Sequence, residues 1–258
     1  MKKLLILMLM AMTGVQAINA QSDKETFGLF DHLGLGVSVG TDGIGIDLAA
    51  PVTDWAALRA GISFWPAIKY NTDIDVNDDN PAIYKNVEIE GKLNVFDFKV
   101  LADFYPIKKS SFHLTAGFFA GKSELVSVTN TSPVIKDPSK FGKLGLMLGD
   151  YRISTDKSGN IHADAKVNSF KPYLGIGFGR AVPKKSRVSV SCDLGVQFWG
   201  KPRLGAMTKD DWGNEYYHKF KSSDLDEYDD EDLKDALDLA EKFSVFPVLN
   251  IRLSGRIF

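Results

Sequence analysis

The sequence predicts an all-β fold: an eight-stranded antiparallel transmembrane β-barrel with a short helix in the last extracellular loop. Three observations support this prediction. Eight segments alternate apolar residues with small or polar ones, which is the period of a strand with two different faces. The connections are short at one end of the strands and mostly long at the other. No run of 18 or more apolar residues occurs, so ordinary transmembrane helices are not predicted.

The chain opens with features of an export signal. Lys2 and Lys3 form a positive start, residues 4–12 are apolar but too few to span a bilayer, and small residues follow. We expect a signal peptide over residues 1–20 with cleavage near Ala20, a second choice being cleavage after Ala17. A periplasmic N-terminal lead over 21–31 and a barrel domain over 32–258 complete the predicted organisation. Because Cys192 is the only cysteine, an internal disulfide is excluded.

The predicted strands and their connections are sorted by end. Short turns at 52–54, 106–110 and 182–186 are expected in the periplasm. At the opposite end the sequence places a short turn at 41–42 and three long polar loops. This arrangement is typical of transmembrane barrels. The alternating segments fall at 33–39, 44–48, 58–64, 96–104, 112–120, 174–178, 188–198 and 249–253, and the long loops at 66–92, 122–168 and 200–245.

Two further patterns accompany the strands. Residues 229–243 begin with acidic residues and place Leu233, Ala236, Leu237 and Ala240 on one stripe, which predicts the short helix in the last loop. Aromatic residues cluster near strand ends and predict a belt at each membrane interface. The outer belt would contain Phe64, Trp65, Phe96, Phe118, Phe119, Phe170, Phe198 and Trp199, and the inner belt Phe104, Tyr105, Phe112 and Phe258.

The residues between the apolar positions would face the interior of the barrel. Eight strands enclose a space that side chains just fill, and buried charges there must pair with opposite charges. Because four acidic and four basic residues fall on this face, we expect a plugged, salt-bridged interior. A narrow ion path is the alternative interpretation of the same residues. The predicted lumen network consists of Asp47, Arg59, Asp97, Lys99, Asp103, Asp193, Arg252 and Arg256.

The sequence offers little for catalysis or for cofactors. The net charge of −2 provides no basic surface for nucleic acid, so no nucleic-acid partner is expected. The acidic segment 73–80 begins with the spacing of a calcium loop but lacks its glycine and glutamate. His162 and Asp164 are the only loop-borne pair that suggests an enzyme, and no nucleophile accompanies them in a recognisable frame. We therefore predict no catalytic residue, no cofactor and no metal.

The glycine-rich hairpin at 34–47 and the final strand ending in Phe258 resemble small eight-stranded bacterial outer-membrane barrels. The resemblance is to the OmpA/OmpX-like group, especially its Bacteroidetes-type forms. It implies an outer-membrane location, contact with outer-membrane lipids and lipopolysaccharide, and recognition of Phe258 by the barrel assembly machinery. In that group the residues two, four and six before the last are apolar. Here they are Arg256, Ser254 and Arg252, so a bulge or a Phe258 outside the strand is expected.

These observations favour a structural or surface-interaction role, in which the long loops bind a host or cell-surface ligand. One alternative is a secreted, soluble barrel of lipocalin type that turns its apolar face inwards around an apolar ligand. The strand pattern is also compatible with a narrow channel, or with a barrel enzyme such as a lipid acyltransferase or an outer-membrane protease.

Overall fold

A computed structural model describes residues 32–76, 80–93, 95–107, 110–122, 124–148, 151–184, 186–209, 214–220 and 244–257. The predicted signal peptide and lead, the predicted helix at 229–243, and Phe258 lie outside these ranges. The described residues form sixteen strands and one short 3₁₀ turn at Pro138–Lys140. None of the helical structure in these ranges is long and apolar enough to cross a membrane.

Eight of the strands close an antiparallel barrel, which confirms the predicted fold class. Around the wall the order is β1, β2, β3, β6, β7, β12, β13 and β16, after which β16 pairs with β1 and closes the barrel. The strands are β1 (Gly34–Gly40), β2 (Gly43–Thr53), β3 (Ala56–Phe64), β6 (Phe96–Phe104), β7 (Phe112–Gly121), β12 (Phe170–Phe178), β13 (Val188–Phe198) and β16 (Val245–Arg256).

Alternation along each strand sorts the side chains between the two sides of the wall. On β2, for example, Ile44, Ile46 and Leu48 are exposed outside while Asp47 and Ala49 are buried inside. The other barrel strands follow the same pattern, with polar and small residues on the buried side. A soluble barrel of lipocalin type requires an apolar interior, so that alternative does not fit this structure.

The predicted long loops contain strands, which the sequence analysis did not anticipate. Eight further strands form what we call the outer sheet, with β4, β5, β8, β11 and β14 side by side in that order. Each of these five strands is the chain neighbour of one barrel strand, and their order repeats the barrel order β3, β6, β7, β12 and β13. The barrel hairpins therefore continue beyond the barrel wall. The strands are β4 (Ile68–Asp75), β5 (Asn86–Leu93), β8 (Glu124–Asn130), β9 (Gly145–Leu148), β10 (Tyr151–Ser154), β11 (His162–Lys166), β14 (Arg203–Lys209) and β15 (Glu215–Phe220).

The outer sheet has an apolar core of its own, separate from the barrel. Ile83, Val87, Val134 and Ile135 are almost fully buried and pack together. Partly buried neighbours, Phe141 among them, pack against this cluster. Burial of this kind stabilises a folded unit by roughly 25 cal/mol for each Å² of apolar surface removed from water. The described parts of the regions predicted as polar loops therefore contain strands that pair with one another.

One sequence prediction about the wall needs correction, and one of two alternatives for the last strand is excluded. Phe119 and Tyr105, assigned to the aromatic belts, are only 2% and 3% exposed and are buried inside the barrel. The last strand contains no bulge: β16 pairs with β1 and β13 without a shift in register and ends at Arg256. Within that strand Arg252 and Ser254 are buried inside the barrel, whereas Phe258 lies outside the described residues.

Candidate functional site

The charged interior of the barrel is the main candidate site, and its largest network centres on Arg59 of β3. Arg59 Nη2 lies 2.7 Å from Asp103 Oδ1, and Arg59 Nη1 lies 3.1 Å from Asp193 Oδ2. The Thr115 hydroxyl donates to Asp103 at 2.8 Å, and His113 Nε2 lies 2.7 Å from Asp193 Oδ1. These side chains come from four strands, so the network joins opposite sides of the wall.

A second group surrounds Asp47 on β2. The Arg252 guanidinium donates to both Asp47 carboxylate oxygens through Nε and Nη2, at 2.6 to 3.1 Å. Lys99 Nζ lies 3.8 Å from Asp47 Oδ2 and donates to the Ser38 hydroxyl at 3.4 Å. The Arg252 side chain lies flat against Gly36, where a Cβ atom would overlap the guanidinium. A glycine on the neighbouring strand β1 therefore makes room for this bidentate pair.

The third group is an isolated ion pair near the outer end of the barrel. Lys171 Nζ donates to both carboxylate oxygens of Asp97 at 2.8 Å, and both side chains are nearly inaccessible to solvent. Lys171 lies on β12 and Asp97 on β6, two strands that do not pair directly. The pair thus connects β6 and β12 on the lumen side of β7, the strand between them.

Between these groups lies a small cavity with room for about one water molecule. Phe119 and Tyr173 line its apolar side, with ring centroids 5.5 Å apart, and Asp42 and Asn250 line its polar side. Asn250 Nδ2 donates to Asp42 Oδ1 at 2.8 Å. Within the described ranges, Asp42 Oδ2 and Asn250 Oδ1 have no hydrogen-bond partner. No His, Cys, Asp and Glu cluster suited to a metal ion occurs in the same ranges.

The β12–β13 connection closes the inner end of the barrel, the end with the short turns. Ala181 and Val182 are each 3% exposed and pack against Ala49, Ala57 and Tyr105. The Ala181 N–H donates to the Tyr105 hydroxyl at 3.0 Å, and Arg252 Nη1 donates to the Ala181 carbonyl at 3.1 Å. This cap and the three charged groups thus occupy the inside of the barrel at different depths.

The structure places seven of the eight predicted lumen residues inside the barrel, each at most 5% exposed and in an ion pair. Arg256 lies apart from them at the inner end, half-buried, and donates to the Lys184 carbonyl at 3.2 Å. Lys171 was missing from the predicted network. It shares the parity of Tyr173 and lies just before the predicted sixth strand, so starting that strand three residues earlier would have placed it inside.

His162 and Asp164, the pair considered for an enzyme, have different partners in the outer sheet. His162 Nε2 lies 3.2 Å from Asp156 Oδ2, whereas Asp164 pairs with Lys166 at 2.9 Å and accepts a hydrogen bond from Tyr217. Desolvation raises the pKa of Tyr217, and the hydrogen bond to Asp164 raises it further. These contacts describe structural pairs on a sheet surface and bring no nucleophile to His162.

Comparison with known proteins gave similar solved structures, two of which are described here, and no sequence relative. No protein-family model matches the chain, and no curated protein is significantly similar to it. The crystal structure of Acinetobacter baumannii CarO2 has a TM-score of 0.46 and 16% identity, covering 90% of this chain and 100% of that chain. The structure of A. baumannii CarO has the same TM-score and identity, covering 89% and 99%. The OmpA/OmpX-like resemblance stays a prediction.

Proposed function

We propose that this chain is an integral barrel of a bacterial outer membrane, with a closed interior and a structural or surface-interaction role carried by the outer sheet. The outward face of the barrel is the observation that supports this proposal. Large apolar side chains on all eight barrel strands are exposed to the surroundings. They include Val37, Ile46, Leu58, Phe98, Leu114, Leu174, Leu194 and Leu253, with exposed fractions from 41% to 59%.

An apolar surface of this extent needs a partner. Soluble monomeric proteins rarely expose a continuous apolar patch larger than a few hundred Å², whereas here the patch encircles the barrel. A closed barrel satisfies every backbone hydrogen bond of its wall, as a lipid bilayer requires. Acyl chains are the partner that covers an apolar surface on all sides. Outer-membrane lipids and lipopolysaccharide would therefore surround the band.

The interior supports a closed barrel and argues against a wide channel. Charges from six barrel strands pair across the lumen, the cap closes the inner end, and the cavity between the charged groups holds about one water molecule. A conducting path would need several of these pairs to separate at once. We propose no catalytic activity, because the lumen arginines and lysines are held in ion pairs and the described ion-pair contact of His162 is with Asp156.

The outer sheet supports the surface-interaction role. With the short turns in the periplasm, the outer sheet lies on the cell surface, where a folded sheet offers a contact area held by a rigid scaffold. A host or cell-surface ligand would bind there. Recognition of Phe258 by the barrel assembly machinery and cleavage near Ala20 also belong to this proposal.

A pair of arginine substitutions tests the membrane assignment. Leu194→Arg puts a charge at the centre of β13, where a lipid-facing arginine costs about 2–4 kcal/mol of folding free energy in a bilayer. Tyr70→Arg is the matched control, because Tyr70 is 70% exposed on the outer sheet. We expect Leu194→Arg alone to impair folding into lipid vesicles, measured by urea unfolding. Equal stability of the two variants, or a wild-type protein that stays soluble and monomeric without detergent, would refute the assignment.

A further inference from the structure

The first strand of the outer sheet, β4, lies at the edge of that sheet. Within the described ranges it pairs only with β5, so its second edge is open. Residues 68–73 and Asp75 are exposed, whichever face of the sheet they occupy. The strand is eight residues long, contains no proline or glycine, and pairs with β5 without a shift in register. Long regular edges of this kind are templates for another strand, and proteins usually guard them.

The two faces of β4 differ in chemistry. Ile68 and Tyr70, 49% and 70% exposed, lie on one face with Thr72, while Lys69, Asn71 and Asp73 lie on the other. On the charged face, lysine lies near the barrel and carboxylates lie at the far end. Lys69 is opposite Lys92 of β5, whereas Asp73 is opposite Glu88 and Asp75 follows. The charge therefore changes sign along the strand.

This change of sign makes the edge complementary to itself. If a second β4 pairs antiparallel about Asn71, Lys69 of each copy faces Asp73 of the other, and Tyr70 faces Thr72. Opposite charges on facing strands contribute roughly 0.2–1 kcal/mol each, whereas like charges repel. We propose that β4 is a homotypic docking edge, and that its occupant is the β4 strand of a second copy of this chain.

Symmetry decides where the second copy lies. Antiparallel pairing of two identical edges requires a two-fold axis perpendicular to the sheet. Because β4 follows β3 after only three residues, the outer sheet continues the barrel wall and runs along the barrel axis. The two-fold axis then reverses the barrel axis. The two barrels point towards each other and lie in opposing membranes, so the contact joins two membrane surfaces.

The inference rests on the proposed function, since it needs a barrel inserted with the outer sheet outside. Each contact is small and would be weak alone, but many copies on two membranes act together and raise the overall strength of adhesion. Because the pairing charges are exposed, we expect adhesion to weaken as the salt concentration rises.

A charge exchange between vesicles tests the edge. The full chain is reconstituted into lipid vesicles, flotation and protease accessibility establish insertion and orientation, and light scattering then measures clustering. We expect wild-type vesicles to cluster. Lys69→Asp or Asp73→Lys should each weaken clustering about tenfold or more, because both facing pairs become repulsive. Mixing vesicles that carry Lys69→Asp with vesicles that carry Asp73→Lys should restore clustering, since each facing pair again joins opposite charges.

Lys140→Asp, an exposed charge change on the 3₁₀ turn outside β4, is the matched control and should cluster like the wild type. Failure of the protein to insert would refute the proposed membrane function. Inserted wild-type protein that does not cluster its vesicles would overturn the docking edge alone. Single substitutions without effect, or a mixture that does not restore clustering, would equally overturn it.

Discussion

The Lys171–Asp97 pair provides the most direct test of a dry, plugged interior. Its two side chains are only 1% and 4% exposed, and Lys171 Nζ lies 2.8 Å from both carboxylate oxygens. The perturbation is a double-mutant cycle that consists of Lys171→Met, Asp97→Leu and the combined variant. These substitutions remove the charges while keeping apolar side chains of comparable length.

The expected magnitudes follow from the geometry. At 2.8 Å and an effective dielectric constant of about 20, the attraction is about 6 kcal/mol, and burial of the two ions offsets most of it. The intact pair therefore contributes little net stability. Removing one partner leaves a lone buried ion, which costs about 3–5 kcal/mol of unfolding free energy. Removing both should bring stability back to within about 1 kcal/mol of the wild type.

Urea unfolding in lipid vesicles, followed by tryptophan fluorescence, measures these differences, since the chain contains four tryptophans. Lys69→Met supplies the control. Lys69 Nζ lies 3.0 Å from Glu90 Oε2, a similar separation, but the Lys69 side chain is 57% exposed. An exposed pair contributes about 1 kcal/mol or less. If Lys171→Met cost no more than Lys69→Met, water would have to reach the pair, and the plugged interior would be wrong.

Three further predictions follow from the same structure. Gly117→Ala should destabilise the barrel by about 1–3 kcal/mol, because a Cβ there overlaps the Val100 carbonyl. A Cβ at Gly91 makes only an ordinary contact with the Tyr70 carbonyl, so Gly91→Ala should be nearly neutral in the same unfolding assay. The pKa of the Asp156 carboxyl is lowered. Desolvation alone would raise this pKa, but hydrogen bonds from Asn160, His162 and Ser158 outweigh that effect. A depressed carboxyl pKa stabilises the fold above the unfolded value of about 3.9 and loses that contribution as the pH falls through the folded value. The protection of the Ser158 and Asn160 amides against hydrogen exchange, taken relative to the intrinsic rate at each pH, should therefore fall in acid. Asp156→Asn should lower the same protection at pH 7, and unchanged protection in both cases would contradict this role of Asp156. Purified protein in planar bilayers should show no steady large conductance, and a large steady current would contradict the closed lumen.

The barrel was predictable from the sequence because its wall obeys one rule without interruption. Alternation assigns Asp47 to the inside and Ile46 to the outside with no knowledge of the fold, and a closed wall leaves no other place for charges. Phe119 is the exception, because it was predicted in the outer aromatic belt together with its neighbour Phe118. Its parity matches that of His113 and Thr115, which places it inside the barrel. The periodicity was the better guide.

The outer sheet was not predictable by the same means. Its strands are mostly shorter, and small residues such as Ala163, Ala165 and Gly91 weaken the apolar alternation on β11 and β5. The sequence also could not predict which charged residues pair with one another. Arg59 and Asp193 are 134 residues apart, so their contact depends on strand order and stagger, which the period of two does not contain.

The glycines of the wall explain how so many charges fit into a narrow lumen. A Cβ at Gly36 would overlap the Arg252 guanidinium, and a Cβ at Gly177 would overlap the Asp193 carboxylate and the His113 ring. Each long or paired side chain thus lies against a bare stretch of backbone on a neighbouring strand. Because the ion pairs and the glycines come from different strands, moving one loop or one strand would leave several charges without partners. The cost of such unpaired charges supports the proposal of a closed interior.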